Sequence, residues 1–267
     1  MPSPSASLAL GRWPNAVLAA AGVFVGAWWA RAPLDHRVGW AALAAIAITV
    51  AANAWNDISD VDIDRVAHPD RPLPRGTLTV PQARTIAWTA AAAALPLALL
   101  AHPWLLGVTA GVLALAYAYS PHFKRGGLAG NVVVAVLASL PFLYGGWAVG
   151  QPAQGMLLVA IAAPLHLARE VAKDLDDVKG DAAHRRTIPL AGGVPIARAV
   201  VALASAAFLA MLALPAARSP AFALALVPAI GLALIATGSA VRGRRGSPRL
   251  FKAAMVCAML AVLIARP

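Results

Sequence analysis

Asn53 to Gly76 places five aspartates, Asp57, Asp60, Asp62, Asp64 and Asp70, at the end of an apolar run in a chain with only eleven acidic residues. On an ideal helix Asn53, Asp57, Asp60 and Asp64 share one face, at i, i+4, i+7 and i+11, while Asp62 points elsewhere. A second group repeats the pattern: Asp174, Asp177 and Asp181 match Asp57, Asp60 and Asp64 at an offset of 117 residues. Carboxylates crowded in this way repel one another unless a hard cation sits among them. Mg2+ suits the role, because it takes about six oxygens, keeps several waters and borrows one or two carboxylates together with the phosphate oxygens of a substrate. Two such ends facing each other would hold a diphosphate from both sides, with two Mg2+ ions. Arg71, Arg75, Lys124, Arg125, Lys173, Lys179, Arg185 and Arg186 fall in the adjoining loops, where they could neutralise phosphate oxygens.

The elements that must position these acids are membrane spans. The 267 residues are 60% apolar and 12% charged, with a mean hydropathy of +0.72, well outside the range of soluble domains. Several windows of about 20 residues carry few or no charges, as a hydrocarbon crossing requires. The runs are long and rich in Ala and Leu rather than short and alternating, which points to an all-α polytopic membrane protein and not a β-barrel. Nine spans are expected, at about Asn15 to Ala30, Val38 to Asn56, Pro81 to Ala101, Trp104 to Tyr119, Leu128 to Val149, Ala153 to Lys173, Pro195 to Leu214, Ala221 to Val241 and Leu250 to Ala265. The expected architecture is a pseudo-symmetric bundle of about nine transmembrane helices around a central cavity, in a single domain over residues 1–267. Pro96, Pro141, Pro164 and Pro228 read as tolerated kinks.

The net charge of +11 is spread over short loops, so it reads as membrane topology and not as a nucleic-acid surface. With the N-terminus cytoplasmic, only Arg31, Arg37, Arg218 and Arg266 among the basic residues, and only Asp35 among the acids, fall outside. Both acidic ends are then expected to face the cytoplasm at the inner cell membrane. No cleavable signal peptide is evident, and the first helix is expected to remain as an anchor. The single cysteine, Cys257, reads as a small buried hydrophobe. Arg242, Arg244, Arg245, Arg249 and Lys252 read as a basic run serving topology and anionic lipid. Asp62 and Asp176 lie off the shared face and are expected in solvent. Asp70 is expected to pair with Arg71. Asn53 either lines the cavity or bonds a neighbouring helix. Glu170 is an intramembrane carboxylate for which the adjacent Arg169 offers no same-face partner, and His166 reads as a polar core contact. No protein partner is implied.

A diphosphate held at the mouth of an apolar membrane cavity implies a long hydrocarbon tail, hence a polyprenyl diphosphate. Stabilising the departing diphosphate would promote C–O cleavage to an allylic cation, captured by a second substrate. Asn56-Asp57-x-x-Asp60-x-x-x-Asp64 followed by AspArgProLeuProArgGly at 70 to 76 resembles the first signature of the UbiA family of intramembrane prenyltransferases. ArgGluValAlaLysAspLeuAspAspValLysGlyAsp at 169 to 181, with ThrIlePro at 187 to 189, resembles the second, and TyrSerProHisPheLysArgGlyGlyLeuAlaGlyAsn at 119 to 131 resembles the family's loop after the fourth helix.

The resemblance implies that Asn56, Asp60 and Asp64 contribute to one Mg2+-diphosphate site, with Asp57 assisting, and Asp174, Asp177 and Asp181 to the other. It implies that Tyr119 and Lys124 approach the diphosphate, and that Arg71 and Arg75 sit on a cap loop. His122 and Phe123 stand where family members often carry a basic residue after that tyrosine. ArgGlu before the second motif and LysArgGlyGlyLeuAlaGlyAsn look most like the branch that prenylates geranylgeranylglyceryl phosphate. Aromatic acceptors such as 4-hydroxybenzoate, homogentisate or a chlorophyllide carboxylate are the alternative. In a different class, the same acids could serve a cation transporter, although transporters put their binding groups nearer the midplane.

Overall fold

The computed structural model describes residues 4–122, 127–178 and 187–265, without describing the side chains of residues 67 and 119–122. The elements are α1 (Pro4–Leu10), α2 (Trp13–Trp29), α3 (His36–Ser59), α4 (Val61–Ala67), α5 (Val80–Ala101), α6 (Pro103–His122), α7 (Leu128–Ala148), α8 (Pro152–Asp176), α9 (Ile188–Ala191), α10 (Val194–Arg218), α11 (Pro220–Ala225), α12 (Val227–Val241) and α13 (Ser247–Ile264). Among the described residues every element is a helix. Six helices, α3, α5, α7, α8, α10 and α13, are each long and apolar enough to cross a membrane, and the α1–α2 pair, bent by 60°, makes a seventh. Two shorter apolar helices, 103–118 of α6 and α12, accompany them. The expected span over Ala221 to Val241 is divided: α11 stops at Ala225 and α12 starts at Val227, because Pro228 in the first turn of α12 has no N–H to continue the upstream ladder.

The offset that relates the acidic groups also relates the helices. Adding 117 residues carries α2, α3 and α5 closely onto α7, α8 and α10, so the chain is built as two similar runs of helices followed by α13.

Small residues bring these helices close together. On α5 the buried positions are Ala83, Ala87, Ala91, Ala94, Ala98 and Ala101, a seam at spacings of three and four that packs along the buried alanines of α3. Glycine does the same where α2 crosses α7: a Cβ on Gly26 would collide with the Phe142 backbone, and one on Gly145 with the Val23 carbonyl. Gly146 meets Gly155 in the same way, which holds α7 against α8. Large apolar side chains such as Leu100, Leu203, Leu214, Ile235 and Ile264 stay exposed, as a lipid-facing surface requires. Trp88 and Trp104 are exposed as well, whereas Cys257 is half-buried.

Candidate active site

At the first acidic end α3 stops at Ser59. Asp60 then takes φ −100°, ψ 2° and α4 begins. The ladder is bent without being interrupted, since Asp60 N–H donates to the Asn56 carbonyl at 3.0 Å and Asp64 N–H to the Asp60 carbonyl at 2.8 Å. At the second end α8 stops at Asp176, and Asp177 takes φ −99°, ψ 5° while its N–H donates to the Lys173 carbonyl at 3.0 Å. Asp60 and Asp177 are the matching central residues of the two sequence copies. Both sit in the sparsely populated bridge region where many functional residues are found. The repeated sequence is a repeated backbone bend.

Both bends open onto one cavity of about 670 Å³. The first contributes Asn53, Asn56, Asp60, Asp64, His68 and Arg71 to its lining, and the second Lys173, Asp174, Asp176 and Asp177. Further in, the walls become apolar on two sides. One wall comes from α3, α6 and α7, with Ile48, Val112, Val134 and Leu137, and the other from α8, α10 and α13, with Ile161, Leu165, Phe208, Met255 and Met259.

Asp57, Asp60 and Asp64 are all buried, at 3%, 2% and 2% exposure, but their surroundings differ. Asp60 Oδ2 accepts from Asn56 Nδ2 at 3.3 Å. Asp57 Oδ1 accepts from Arg12 Nη2 at 2.6 Å and lies 3.7 Å from Arg71 Nη1, which also donates to Asp64 Oδ2 at 2.5 Å. Asp57 is absent from the cavity lining. The cavity face of α3 and α4 runs through Thr49, Asn53, Asn56, Asp60 and Asp64, and at 100° per residue Asp57 falls at its edge. Asp57, expected to assist the first metal site, pairs with Arg12 and lies near Arg71, off the cavity lining.

Arg12 lies between α1 and α2 with φ 49°, ψ 57°, a left-handed conformation that is costly for a non-glycine residue. It also lines the cavity. At the second end Asp174 Oδ2 accepts from Asn131 Nδ2 at 2.8 Å. His68 couples the two ends: partial burial and Arg71 lower its pKa against the opposing pull of Asp64, and Lys173 and Asp177 act on it as well.

The donor set is all oxygen, from carboxylates and amides, which suits a hard cation. Among the described residues no three His, Cys, Asp or Glu side chains already converge as a metal cage. Mg2+ does not need one, because one or two carboxylates at each end leave the remaining positions to water and substrate phosphate.

Other expected site residues are placed as follows. Lys124, Asp181 and Arg185 lie outside the described residues, and so does the side chain of Tyr119, whose backbone belongs to α6. Arg75 is exposed and does not line the cavity. Asn53 both lines the cavity and donates to the Gly11 carbonyl at 3.1 Å. Arg71 pairs with Asp64 and Asp57, not with the exposed Asp70. Asp62 is exposed and bonds Arg65 at 2.7 Å. Asp176, expected in solvent, instead accepts from the Gly246 N–H at 2.9 Å, tying the turn before α13 to the end of α8.

Arg169 and Glu170 form an ion pair despite being adjacent in sequence, and both line the cavity. Arg245 and Lys252, assigned by sequence to topology and lipid, line it too. Sequence reasoning also missed Arg12, Asn15 and Asn131. The available signals were two polar residues, Arg12 and Asn15, around the start of the first apolar run, and the Asn that closes the motif at 119 to 131.

The helices and their acid-lined mouth define a polytopic membrane protein with a buried, two-ended polar centre. The chain belongs to the UbiA prenyltransferase family, whose sequence model matches residues 16–263. A digeranylgeranylglyceryl phosphate synthase from Methanopyrus kandleri is 36% identical over 267 residues, covering 97% of this chain and 98% of its own. The fold is shared with the apo structure of a UbiA homolog from Aeropyrum pernix K1, at TM-score 0.84 and 21% identity, covering 94% of this chain and 98% of that one. It is also shared with a UbiA homolog from Archaeoglobus fulgidus bound to DMAPP and Mg2+, at TM-score 0.72 and 21% identity, covering 97% and 96%.

Proposed function

We propose that this chain is a single-domain membrane prenyltransferase that moves a polyprenyl group from a prenyl diphosphate, for example geranylgeranyl diphosphate, to a glycerol-phosphate lipid acceptor such as geranylgeranylglyceryl phosphate. The observation that carries the reading is the pair of matching bends at Asp60 and Asp177, which turn two carboxylate-bearing helix ends toward one cavity with apolar walls on two sides. Two apolar walls suit two hydrocarbon tails. The acceptor class is supported by the likeness to the Methanopyrus kandleri synthase over nearly the whole of both chains, and the metal by the Archaeoglobus fulgidus homolog bound to DMAPP and Mg2+.

Asn56, Asp60 and Asp64 at one end, and Asp174 and Asp177 at the other, would hold two Mg2+ ions, with Asp181 completing the second copy of the pattern. When bound, Mg2+ supplies positive charge that stabilises the departing diphosphate. Arg71 and Lys173, one at each end, would bind the phosphate oxygens, Arg71 exchanging Asp64 for phosphate as substrate arrives. Lys124, Arg185 and Tyr119 would approach from the adjoining loops, and Arg75 from the cap loop. The apolar walls keep water from the allylic centre while the acceptor hydroxyl oxygen bonds the carbon whose C–O bond to diphosphate breaks, its proton passing to the released diphosphate. The excess of basic residues in the loops at the acidic ends orients that face, and the N-terminus, toward the cytoplasm.

The test is turnover of purified protein in detergent or nanodiscs with Mg2+ and geranylgeranyl diphosphate, against glycerol-phosphate, 4-hydroxybenzoate and homogentisate acceptors. Prenylated glycerol-phosphate lipid is expected, with loss of product on EDTA addition and recovery with Mg2+. Product with an aromatic acceptor alone would replace the acceptor assignment, and metal flux without any prenyl transfer would replace the enzyme reading.

A further inference from the structure

Outside the two acidic ends, the cavity holds a second polar group that neither end uses. Lys252 of α13 points into it, and its ammonium donates to Asn15 Oδ1 of α2 at 3.0 Å. Arg169 of α8 lines the same region and lies within electrostatic reach, so the two cations repel each other. Glu170, already paired with Arg169, is the carboxylate bonded to this group among the described residues. The bonded partner of Lys252 is a neutral amide.

An ammonium has three donors and Asn15 accepts one of them, while the Asn15 amide keeps its own N–H groups. A half-buried pair of cations sharing one carboxylate is an unbalanced charge in a low-dielectric space, which an anion would relieve. The group is also separate from the acidic ends. On α8 Arg169 precedes Asp177 by eight residues, about 12 Å along the helix axis, and Lys252 lies about 7 Å inside the start of α13. A diphosphate held by Asp60 and Asp177 does not extend over such a length, whereas a second substrate beside it does.

We propose that Asn15, Arg169 and Lys252 form a separate anion subsite that grips the phosphate monoester of the acceptor and turns its free hydroxyl toward the allylic carbon of the donor. The subsite rests on the glycerol-phosphate acceptor reading above. α13 lies outside the two matching runs of helices, and it supplies the ammonium that makes the α2–α8–α13 side of the cavity unlike the α3–α6–α7 side. The bond from Asp176 to the Gly246 N–H fixes the entry of α13, and with it the depth at which Lys252 enters.

The test uses the full chain in nanodiscs of zwitterionic lipid, with Lys252→Met as the main variant, Lys252→Arg as the conservative one and Arg169→Gln as an independent one. Steady-state kinetics are run against geranylgeranylglyceryl phosphate and against geranylgeranylglycerol, which lacks the phosphate. Lys252→Met is expected to raise the acceptor KM roughly 10-fold to 100-fold, the size of a lost charge-assisted hydrogen bond, while the donor KM stays within about twofold. Lys252→Arg should recover most of the loss. The variant should no longer distinguish the two acceptors, because the phosphate has lost its partner. A rise in donor KM instead, or full discrimination in both Lys252→Met and Arg169→Gln, would overturn the proposal.

Binding is read separately from turnover by thermal stabilisation with sn-glycerol 1-phosphate and with inorganic phosphate, after confirming that each variant elutes as a single species. Stabilisation of the wild-type chain but not of Lys252→Met supports the subsite, and equal stabilisation of both overturns it. Lys252-dependent stabilisation together with no transfer to any glycerol-phosphate lipid would sink the acceptor reading while leaving the anion site standing.

Discussion

The two acidic ends share a backbone and differ in what holds their carboxylates. Asp57 and Asp174 occupy matching positions of the repeat, yet Asp57 is buried and held by the cations Arg12 and Arg71, whereas Asp174 is half-buried and accepts from the neutral amide of Asn131. The first end is thus neutralised by the protein itself, through the chain Arg12, Asp57, Arg71 and Asp64. A repeat preserves the geometry of the bend, because that is set by backbone and helix packing, while the partners on either side are free to diverge.

The sharpest way to break the comparison is to remove the central residue of each copy. Asp60→Ala and Asp177→Ala are each expected to lower kcat/KM by at least about 1000-fold, as the loss of several kcal/mol of leaving-group stabilisation implies, while each protein still elutes as a single species. Near-normal transfer in one of them would show that only the other end works on the diphosphate. Next in size is the neutralised end itself. Arg12→Met leaves Asp57 buried beside a more distant Arg71 and should destabilise the protein by about 3 kcal/mol, read as a lower midpoint of thermal unfolding in detergent. Adding Asp57→Asn to that variant should restore much of the loss, since the uncompensated charge is then gone.

The second end should answer more weakly. Asn131→Ala is expected to cost about 1 kcal/mol, and equal losses from Arg12→Met and Asn131→Ala would remove the contrast between the Arg12–Asp57 and Asn131–Asp174 bonds. Asp176→Ala removes the acceptor for the Gly246 N–H and should cost about 1 kcal/mol as well. The smallest effect belongs to Asp62, exposed and paired with Arg65: Asp62→Ala should stay within about 0.5 kcal/mol of wild type and leave the rate of transfer intact.

Much of this was legible in the chain. The apolar helices, the repeated aspartate pattern and the shared face of Asn53, Asp60 and Asp64 depend on local spacing, which helix periodicity and hydropathy report directly. What sequence alone misjudged was partnership. The spacing of Asp57 matches the acidic face, and only the tertiary structure shows that Arg12, 45 residues away, bonds to it. Asp176 reads as a solvent residue until the turn at Gly246, 70 residues on, packs against it. Lys252 reads as one more basic residue at the membrane surface until Asn15, 237 residues earlier, meets it inside the cavity.

The sequence by itself determined the membrane class, the two-copy arrangement and the carboxylates at its centre, because each is written in spacings of a few residues. The tertiary structure decided which of those carboxylates face the cavity, which are neutralised by arginine, and where a second set of cations gathers. Those outcomes depend on which helix ends pack together, and close approach through glycine and alanine is what brings ends remote in the chain within hydrogen-bonding distance.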